Sequence, residues 1–435
     1  MTRPRYRDLY FGLSDSRNEA NQNREAFIKT YVDLNDATGA VINGEEFLVL
    51  GPKGTGKSAL AWYLEATEIN GDHLALVRDA SDLPLAEVPR LQTGQEPGPE
   101  RTVVAWKFIL LCNYLELLLR DQGCSVQGNN EVLRVARLLR DFGFMGDASG
   151  HALLRAANTT ITIPIPKLGP IYKRESRPTL NIYNLIPYLE TWVSEAASML
   201  RHVLLVDGLD SIFLNDVKYD QSLSSLVQAA YSVNQRLRQR QATGSIALLL
   251  RNDVFSRIAL ALPDSQKMRD DLSIDLDWRI LSGQSGVRAP LMTLVNAKAG
   301  RAVGEESVDV LGYFPSQIKV GGRGDTPRRF PTFQYLLNMT RHTPRDLLRL
   351  FEEIRRVEAA EVYGKANDLL SESAIREGVL QYSTKYFVGA ISNEFAGYAG
   401  GPESAAAALT ALKAINKQTF NADEFRGLSK TESQH

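Results

Sequence analysis

Short apolar runs that end at polar or glycine residues recur along the chain and predict the strands of a buried sheet. The clearest are "EFLVL" (46–50), "HLALVR" (73–78), "VLLV" (203–206) and "IALLL" (246–250), and "LSIDLDW" near Leu272 predicts a fifth strand. These runs are almost continuous in apolar residues, which indicates strands that are buried rather than exposed. The pattern therefore favours a sheet inside the molecule.

Segments with apolar residues at helical spacing lie between and after these runs and predict helices. The predicted helices are 59–67, Val103–Arg120, Asn130–Phe142, 181–201, a helix opening at Pro344, 371–388 and 403–417. Ile161, Ile163 and Ile165 alternate with smaller or polar residues and suggest a β arm, which Pro164 and Pro166 restrict to an edge. Strands separated by helices predict an α/β fold.

Composition and charge exclude several classes of protein. The chain has 435 residues, 44% of them hydrophobic, and 50 basic residues nearly balance 51 acidic ones, so no global field draws it to nucleic acid or membrane. Asn113 and Glu116 interrupt the most apolar stretch, which we therefore expect to be a buried helix rather than a membrane span. Cys112 and Cys124 lack metal-like spacing, and the start of the chain lacks a signal-peptide core, so we expect a cytoplasmic protein.

The segment "GPKGTGKS" stands between the first predicted strand and a predicted helix, which is the context of a phosphate-binding P-loop. Glycines there allow successive backbone N–H groups to turn inward around phosphate oxygens, and the helix adds its unpaired N–H groups. The residues expected to contact nucleotide are Gly51, Pro52, Lys53, Gly54, Thr55, Gly56, Lys57, Ser58 and Ala59. Lys57 supplies a charge to the β and γ phosphates, and the Ser58 hydroxyl is placed to bind Mg²⁺.

A P-loop site also needs a second strand that ends in an acid. "VLLVD" delivers Asp207 to the carboxyl end of a strand, where it would hold Mg²⁺ through water. The next residue, Gly208, has no side chain to activate an attacking water. Asp210 is then the nearest acid in the sequence that could do so, or else it caps a following helix. Both interpretations predict slow hydrolysis.

"LLVDGLD" after a P-loop is similar to the hhhhDGLDE pattern of NACHT-like members of the STAND class, signal-transduction ATPases that stand beside the origin-recognition ATPases among AAA+ relatives. Ser211 departs from this pattern at a position where many members carry an acid. The resemblance spans about residues 5–385. It implies an ATPase with ATP and Mg²⁺ as ligands and, in bacteria, a role in stress or anti-phage systems.

Two further segments extend the resemblance. The strand 246–250 is similar to the sensor 1 strand and delivers Arg251 to the sheet edge, where a surface ion pair is the alternative. "TRHTPRDLLRLFEEI" resembles sensor 2, in which Arg345 would reach the phosphates from a helical lid. Arg257 and Arg269 lie where the resemblance places arginine fingers, but nothing in the sequence selects either.

Two regions outside these motifs each have two possible roles. Tyr10 and Phe11 lie in a lead-in segment that holds the adenine base in the resembling group, and core packing is the other interpretation. The stretch 319–330 concentrates Lys319, Arg323, Arg328 and Arg329 among glycines. It predicts a flexible basic loop that is either merely solvated or a contact for nucleic acid.

We expect an α/β fold: a P-loop NTPase three-layer core with a parallel sheet, a helical insertion and a C-terminal helical lid. The predicted domains are a lead-in (1–40), the core (41–265) with an insertion at about 80–200, the lid (266–385) and a helical end that the resemblance suggests is winged-helix-like (386–435). The leading hypothesis is an ATP-dependent assembly switch, homo-oligomeric, acting on a separate effector because the sequence carries no nuclease, TIR or protease signature. The alternatives are a nucleic-acid-loading ATPase and a scaffold that keeps bound nucleotide for stability.

Overall fold

A computed structural model of the chain describes residues 3–13, 15–68, 71–83, 99–141, 143–146, 182–209, 217–279, 289–320, 328–360, 369–395, 401–415, 421 and 423. In its first part the elements are α1 (Ser16–Gln22), α2 (Arg24–Lys29), α3 (Ala37–Asn43), β1 (Leu48–Leu50), α4 (Lys57–Thr67), β2 (His73–Asp79), α5 (Pro99–Arg120), α6 (Asn130–Asp141), α7 (Ile182–Ser194) and β3 (Arg201–Asp207). They are followed by α8 (Val217–Gln239), β4 (Gly244–Leu250), α9 (Asn252–Ile258), α10 (Ser265–Asp271), β5 (Ser273–Asp275), α11 (Pro290–Ala302), β6 (Gln317–Val320), β7 (Arg328–Pro331), α12 (Thr332–Asn338), α13 (Pro344–Ala360), α14 (Glu372–Tyr382), α15 (Val388–Phe395) and α16 (Gly401–Ile415).

The predicted apolar runs form a five-stranded sheet within the described residues, in the order β2-β3-β4-β1-β5. All four neighbouring pairs are parallel, so the α/β class and the parallel sheet are confirmed. Leu50 is paired with Leu250 on one side and Asp275 on the other, and Asp79 is paired with Asp207. The carboxyl ends of β1, β3 and β4 therefore lie at one edge of the sheet. Asp207 is the last residue of β3, Arg251 directly follows β4, and the loop that leads to Lys57 follows β1.

Helices cover both faces of this sheet because successive strand residues point to opposite sides. Leu204 and Val206 belong to a core that includes α5, α7 and α8, whereas Val203 and Leu205 belong to a second core that includes α4, α11 and α13. Within the described residues, the stretch Thr102–Arg120 of α5 is long and apolar enough to cross a membrane by length and composition alone. It is mostly buried, packed against α7 and α8, as expected for a core helix.

The lead-in packs against helices that follow the sheet in sequence. The Tyr6 hydroxyl donates to the carbonyl of Phe351 at 3.1 Å, and Phe11 stacks on the Phe351 ring with centroids 5.6 Å apart. The strand β5 pairs with β1, so the core sheet continues beyond residue 265, where the sequence places the start of the lid. The chain before β1 and the helices after β5 thus close over the same side of the sheet.

The basic stretch differs in part from the predicted flexible loop. β6 and β7 pair antiparallel, with Lys319 opposite Arg329 and Val320 opposite Arg328, so both ends of the stretch are strands. Arg323 lies outside the described residues. The ladder is anchored from α14, where Arg376 donates to the Lys319 carbonyl.

The predicted helix at 371–388 extends further, since α14 runs through a π-helical turn, Ser383–Phe387, into α15. The proposed β arm at 161–165 lies outside the described residues. The described parts of the C-terminal end are helical, and its winged-helix-like character stays a prediction.

Candidate functional site

A cavity of about 1090 Å³ lies between the carboxyl edge of the sheet and the helices that follow β5. The core supplies Lys53–Ala59, Asp79, Asp207 and Arg251, and the later helices supply Lys298, Arg341, Arg345 and Lys385. Over the described residues the lining contains eight basic and four acidic side chains. This excess of positive charge suits an anionic ligand such as a polyphosphate.

The glycine loop has the backbone geometry of an anion cradle. Gly54 and Gly56 adopt φ values of +88° and +97°, which side-chain-bearing residues rarely adopt. A Cβ atom at Gly51 would lie 2.6 Å from the Thr55 hydroxyl oxygen, so the loop also needs glycine there for space. α4 begins at Lys57 directly after this loop, which brings its unpaired N–H groups to the cavity.

Lys57 is 6% exposed, and its side chain folds over the loop. Its Nζ donates to the carbonyl oxygens of Gly51 at 2.8 Å and Pro52 at 3.1 Å. Ser58 also lines the cavity and presents a hydroxyl to the same space as Asp207. Of the loop residues predicted to contact nucleotide, Lys53–Ala59 line the cavity, and Gly51 and Pro52 support Lys57 through their carbonyls.

Two carboxylates stand side by side at the sheet edge. Asp207 ends β3 and is 8% exposed, and its register partner Asp79 ends β2. Both line the cavity. Asp79 is absent from the sequence predictions, although "HLALVRD" is an apolar run that ends in Asp just as "RHVLLVD" is, and that similarity is the signal that could have found it.

Arg251 follows β4, the strand between β1 and β3, and is 6% exposed. Its Nε and Nη2 donate to the two carboxylate oxygens of Asp253 at 2.8 and 2.7 Å. The ion pair expected as the alternative to a sensor role is therefore present. It lies at the cavity wall, so the two roles are compatible.

The proposed sensor 2 helix touches the glycine loop directly. Pro344 occupies the first turn of α13, as predicted, and the Arg345 backbone N–H donates to the Gly54 carbonyl at 3.3 Å. A Cβ at Gly54 would lie 3.1 Å from the Cβ of Arg345. Trp278, after β5, donates its Nε1–H to the Thr55 carbonyl at 2.7 Å. The loop is thus held from its far side by residues that follow the sheet.

A polar cluster behind Arg345 joins α13 to the C-terminal helices. Asp346, which is fully buried, accepts hydrogen bonds from Nε and Nη2 of Arg341, both at 2.7 Å, and from the Tyr386 hydroxyl at 3.0 Å. Arg341 also pairs with Glu394 of α15. Burial alone would lower the pKa of Arg341, but the hydrogen bonds and charge of Asp346 raise it overall. Burial and Asp346 raise the pKa of Tyr386, which therefore donates as a neutral phenol.

The opposite wall comes from the lead-in and α11. Lys298 and Glu19 form a buried ion pair at 2.6 Å on this wall. Aliphatic side chains continue the wall: Leu13, Val32, Leu34 and Leu294. The cavity therefore has an apolar end opposite the basic end at the glycine loop, an arrangement suited to a ligand with one apolar and one anionic part.

Tyr10 and Phe11 are not among the residues that line this cavity. Phe11 is 1% exposed and packs on Tyr6 and Phe351, so its burial supports the core-packing interpretation. Tyr10 is 38% exposed, and burial of the rest of its side chain together with Glu19 raises its pKa to about 12. Of the lead-in residues near this pair, Leu13 lines the cavity, and so does Val32 further along the chain.

The remaining predicted residues lie outside the cavity or outside the described residues. Asp210 belongs to a segment that the structure does not describe, so its two interpretations stay open. Arg257 pairs with Asp220 and Arg269 with Asp275, both within this chain. Lys319, Arg328 and Arg329 are exposed on the β6–β7 hairpin, away from the cavity lining.

Within the described residues, no group of three or more His, Cys, Asp and Glu side chains could hold a metal ion by itself. A Mg²⁺ ion here would depend on Ser58, Asp207 and the phosphates of a nucleotide. The cradle, the buried lysine and the paired acidic strand ends fit such a complex. Neither a scan against known protein-family models nor a search of curated proteins found a match for this chain.

Proposed function

We propose that this chain is a P-loop ATPase that binds Mg²⁺-ATP between the parallel sheet and the helices that follow it. The observation that carries the proposal is the glycine loop, which opens α4 and lines one cavity together with Asp207, Arg251 and Arg345. Each group matches one need of a bound triphosphate, and the excess of basic side chains offsets its charge. The resemblance to STAND and AAA+ ATPases in the motifs supports the same assignment.

In this proposal the backbone of the glycine loop surrounds the phosphates, and Lys57 moves from the Gly51 carbonyl to the β and γ phosphates. Ser58 binds Mg²⁺ directly, and Asp207 holds it through water. Arg251 and Arg345 approach the γ phosphate from the sheet and from the helical lid. We expect slow hydrolysis, because Gly208 supplies no carboxylate at the position that follows Asp207 and an acid from another segment has to take that role.

The contact between Arg345 of the lid and the glycine loop suggests how a bound nucleotide could control the arrangement of core and lid. Arg345 touches the loop at Gly54, and the Arg341–Asp346 cluster connects that region to α15, so bound phosphate and the C-terminal helices share one structural unit. A ligand shifts a conformational equilibrium only by its differential affinity for the two states. ATP, which contacts core and lid together, would favour one domain arrangement and self-assembly, and slow hydrolysis would reset it. We infer action on a separate effector in bacterial defence.

The test is the size of the purified protein with ATP, with ADP and without nucleotide, measured by light scattering after gel filtration. The expected result is an ATP-dependent change of mass or shape that Lys57→Ala abolishes. Identical mass and shape in all conditions, for wild type and Lys57→Ala alike, would contradict the switch.

A second candidate is an ATPase that loads or remodels nucleic acid, and one observation favours it. All four residues of β7 are exposed, Arg328 and Arg329 among them, on a hairpin that α14 holds in place. Affinity for duplex DNA should then fall with salt, by about 0.9 log units per log unit of salt for each phosphate contacted. Binding that is unchanged in Arg328→Ala/Arg329→Ala would refute this role for the hairpin.

A further inference from the structure

Gly208 leaves a space beside Asp207 that another acid fills. It adopts a φ of +74°, and a Cβ atom built on it would lie 3.1 Å from both carboxylate oxygens of Asp79. That distance is shorter than nine in ten real Cβ contacts, and the positive φ adds strain for any other residue. The Asp79 carboxylate therefore stands against the position where a side chain of residue 208 would begin, and glycine at 208 is what admits it.

Asp79 also lies at the cavity, close to the other residues of the candidate site. It ends β2 in register with Asp207, on neighbouring strands about 4.8 Å apart, and both line the cavity with Lys57. Its Oδ1 accepts hydrogen bonds from the backbone N–H of Ser81 at 2.8 Å and from the Ser81 hydroxyl at 2.6 Å. Both of these hydrogen bonds from Ser81 go to Oδ1. Ser81 thus fixes the orientation of the carboxylate at the cavity wall.

We propose that Asp79 is the carboxylate that activates the attacking water, in the role that residue 208 cannot perform; the inference rests on the proposed ATPase function. The water oxygen forms a bond to the γ phosphorus while the bond from that phosphorus to the bridging oxygen of ADP breaks, its electron pair leaving with ADP. One water proton passes to Oδ2 of Asp79 and then to solvent, which regenerates the carboxylate. Asp207 remains with Mg²⁺.

The competing role for Asp79 is local, since its Oδ1 caps the short helical turn Ala80–Asp82. Asparagine caps such turns about as well as aspartate but cannot take up a proton. Asp79→Asn therefore separates the two roles, because a cap alone predicts normal turnover and a general base predicts its loss. Asp79→Glu keeps the carboxylate and should restore part of the rate.

The experiment measures steady-state ATP turnover and nucleotide affinity for wild type, Lys57→Ala, Asp207→Asn, Asp79→Asn, Asp79→Glu and Asp210→Asn. Asp72→Asn is the matched control, because Asp72 precedes β2 and lies at the opposite end of the same strand. For Asp79→Asn we expect kcat to fall at least about 100-fold, the lower range for general-base catalysis, with nucleotide Kd changed less than about threefold. Asp72→Asn should behave as wild type. Circular dichroism of each variant verifies folding.

Three results would overturn the inference. Wild-type turnover in Asp79→Asn, together with lost turnover in Asp207→Asn, would reduce Asp79 to a cap and leave the ATPase function intact. Lost turnover in Asp210→Asn with normal turnover in Asp79→Asn would transfer the role to Asp210. If wild type shows no turnover that depends on Lys57, the proposed function itself fails and the inference with it.

Discussion

The polar cluster around Asp346 gives a prediction about how firmly the C-terminal helices are held. Asp346→Ala removes the acceptor of two hydrogen bonds from the Arg341 side chain and one from Tyr386. Asp346 is fully buried, whereas Arg341 keeps its other partner, Glu394, after the change. The variant therefore breaks a buried ion pair without leaving the arginine wholly unpaired.

Breaking a buried ion pair by removing one partner costs about 3–5 kcal/mol. Because Glu394 still compensates Arg341, we expect the lower end, about 3 kcal/mol, which corresponds to about a 150-fold change in an opening equilibrium. The cost should fall on the π-helical turn Ser383–Phe387 and on α15, since the cluster joins Tyr386 and Glu394 to α13. Local opening of this segment should become more frequent, and the sheet should be unaffected.

Amide hydrogen exchange followed by mass spectrometry measures this opening directly. In Asp346→Ala, protection of residues 383–395 should fall about 150-fold, while protection of β3 and β4 stays unchanged. Glu377→Ala is the control, because Glu377 is an exposed acid on the preceding helix, α14. Protection of 383–395 that drops less than about threefold in Asp346→Ala would refute the claim that the cluster holds this segment to α13.

Three further predictions concern the loop, the lead-in and pH. Gly54→Ala should weaken nucleotide binding about 5- to 30-fold in calorimetry, because its φ of +88° costs a side-chain-bearing residue about 1–2 kcal/mol. Lys298→Met should lower the free energy of unfolding in urea by about 3 kcal/mol by leaving Glu19 buried and unpaired, and Lys298→Met/Glu19→Gln should recover much of that loss. Burial lowers the pKa of His202 below 6.5, so its unfolded state binds more protons and the free energy of unfolding should fall as pH drops below about 6.5. His202→Gln should flatten that slope in urea titrations across pH 5–7.5, a range of about one unit either side of an ordinary histidine pKa.

Each of these three predictions would be refuted by a specific result. Gly128→Ala is the control for Gly54→Ala, since a Cβ at Gly128 meets nothing within 4 Å, and equal affinities in both variants would refute the cradle argument. A double variant no more stable than Lys298→Met would show that the cost does not come from an unpaired Glu19. A slope that persists in His202→Gln would assign the pH dependence to other groups. Asp121, the partner of His202, is not one of them: its pKa is lowered in the folded protein, so it changes stability only at pH values below the window of this titration.

The strands of the sheet and the backbone geometry of the glycine loop could be predicted because each depends on local sequence. Short apolar runs that end at glycine or polar residues favour buried strands, and the glycine spacing before Lys57 constrains the backbone directly. The acidic strand end at Asp207 followed from the same pattern. Asp79 ends a similar run, but the predicted strand stops at Arg78, so Asp79 was not among the predicted site residues.

The rest depends on contacts between distant parts of the chain. Lys298 and Glu19 pair across 279 positions, and nothing in either neighbourhood of the sequence marks the partner. Arg341 and Asp346 are close in sequence, yet only the packing of α15 shows that Glu394 completes their cluster. The Tyr10–Phe11 pair is a further example, since its sequence fits contact with a ligand or burial in a core equally well, and only the packing of Phe11 on Tyr6 and Phe351 favours the core.

The most direct test of the account is equilibrium binding of Mg²⁺-ATP to the whole chain, measured by isothermal titration calorimetry. The account predicts one site per chain in wild type and a large loss of affinity in Lys57→Ala, whose missing ammonium leaves the phosphates without their principal charge partner. Lys267→Ala, a basic residue of α10 outside the cavity lining, should bind as wild type. Absence of binding in wild type, or equal binding in Lys57→Ala, would contradict the claim that this cavity holds a nucleotide.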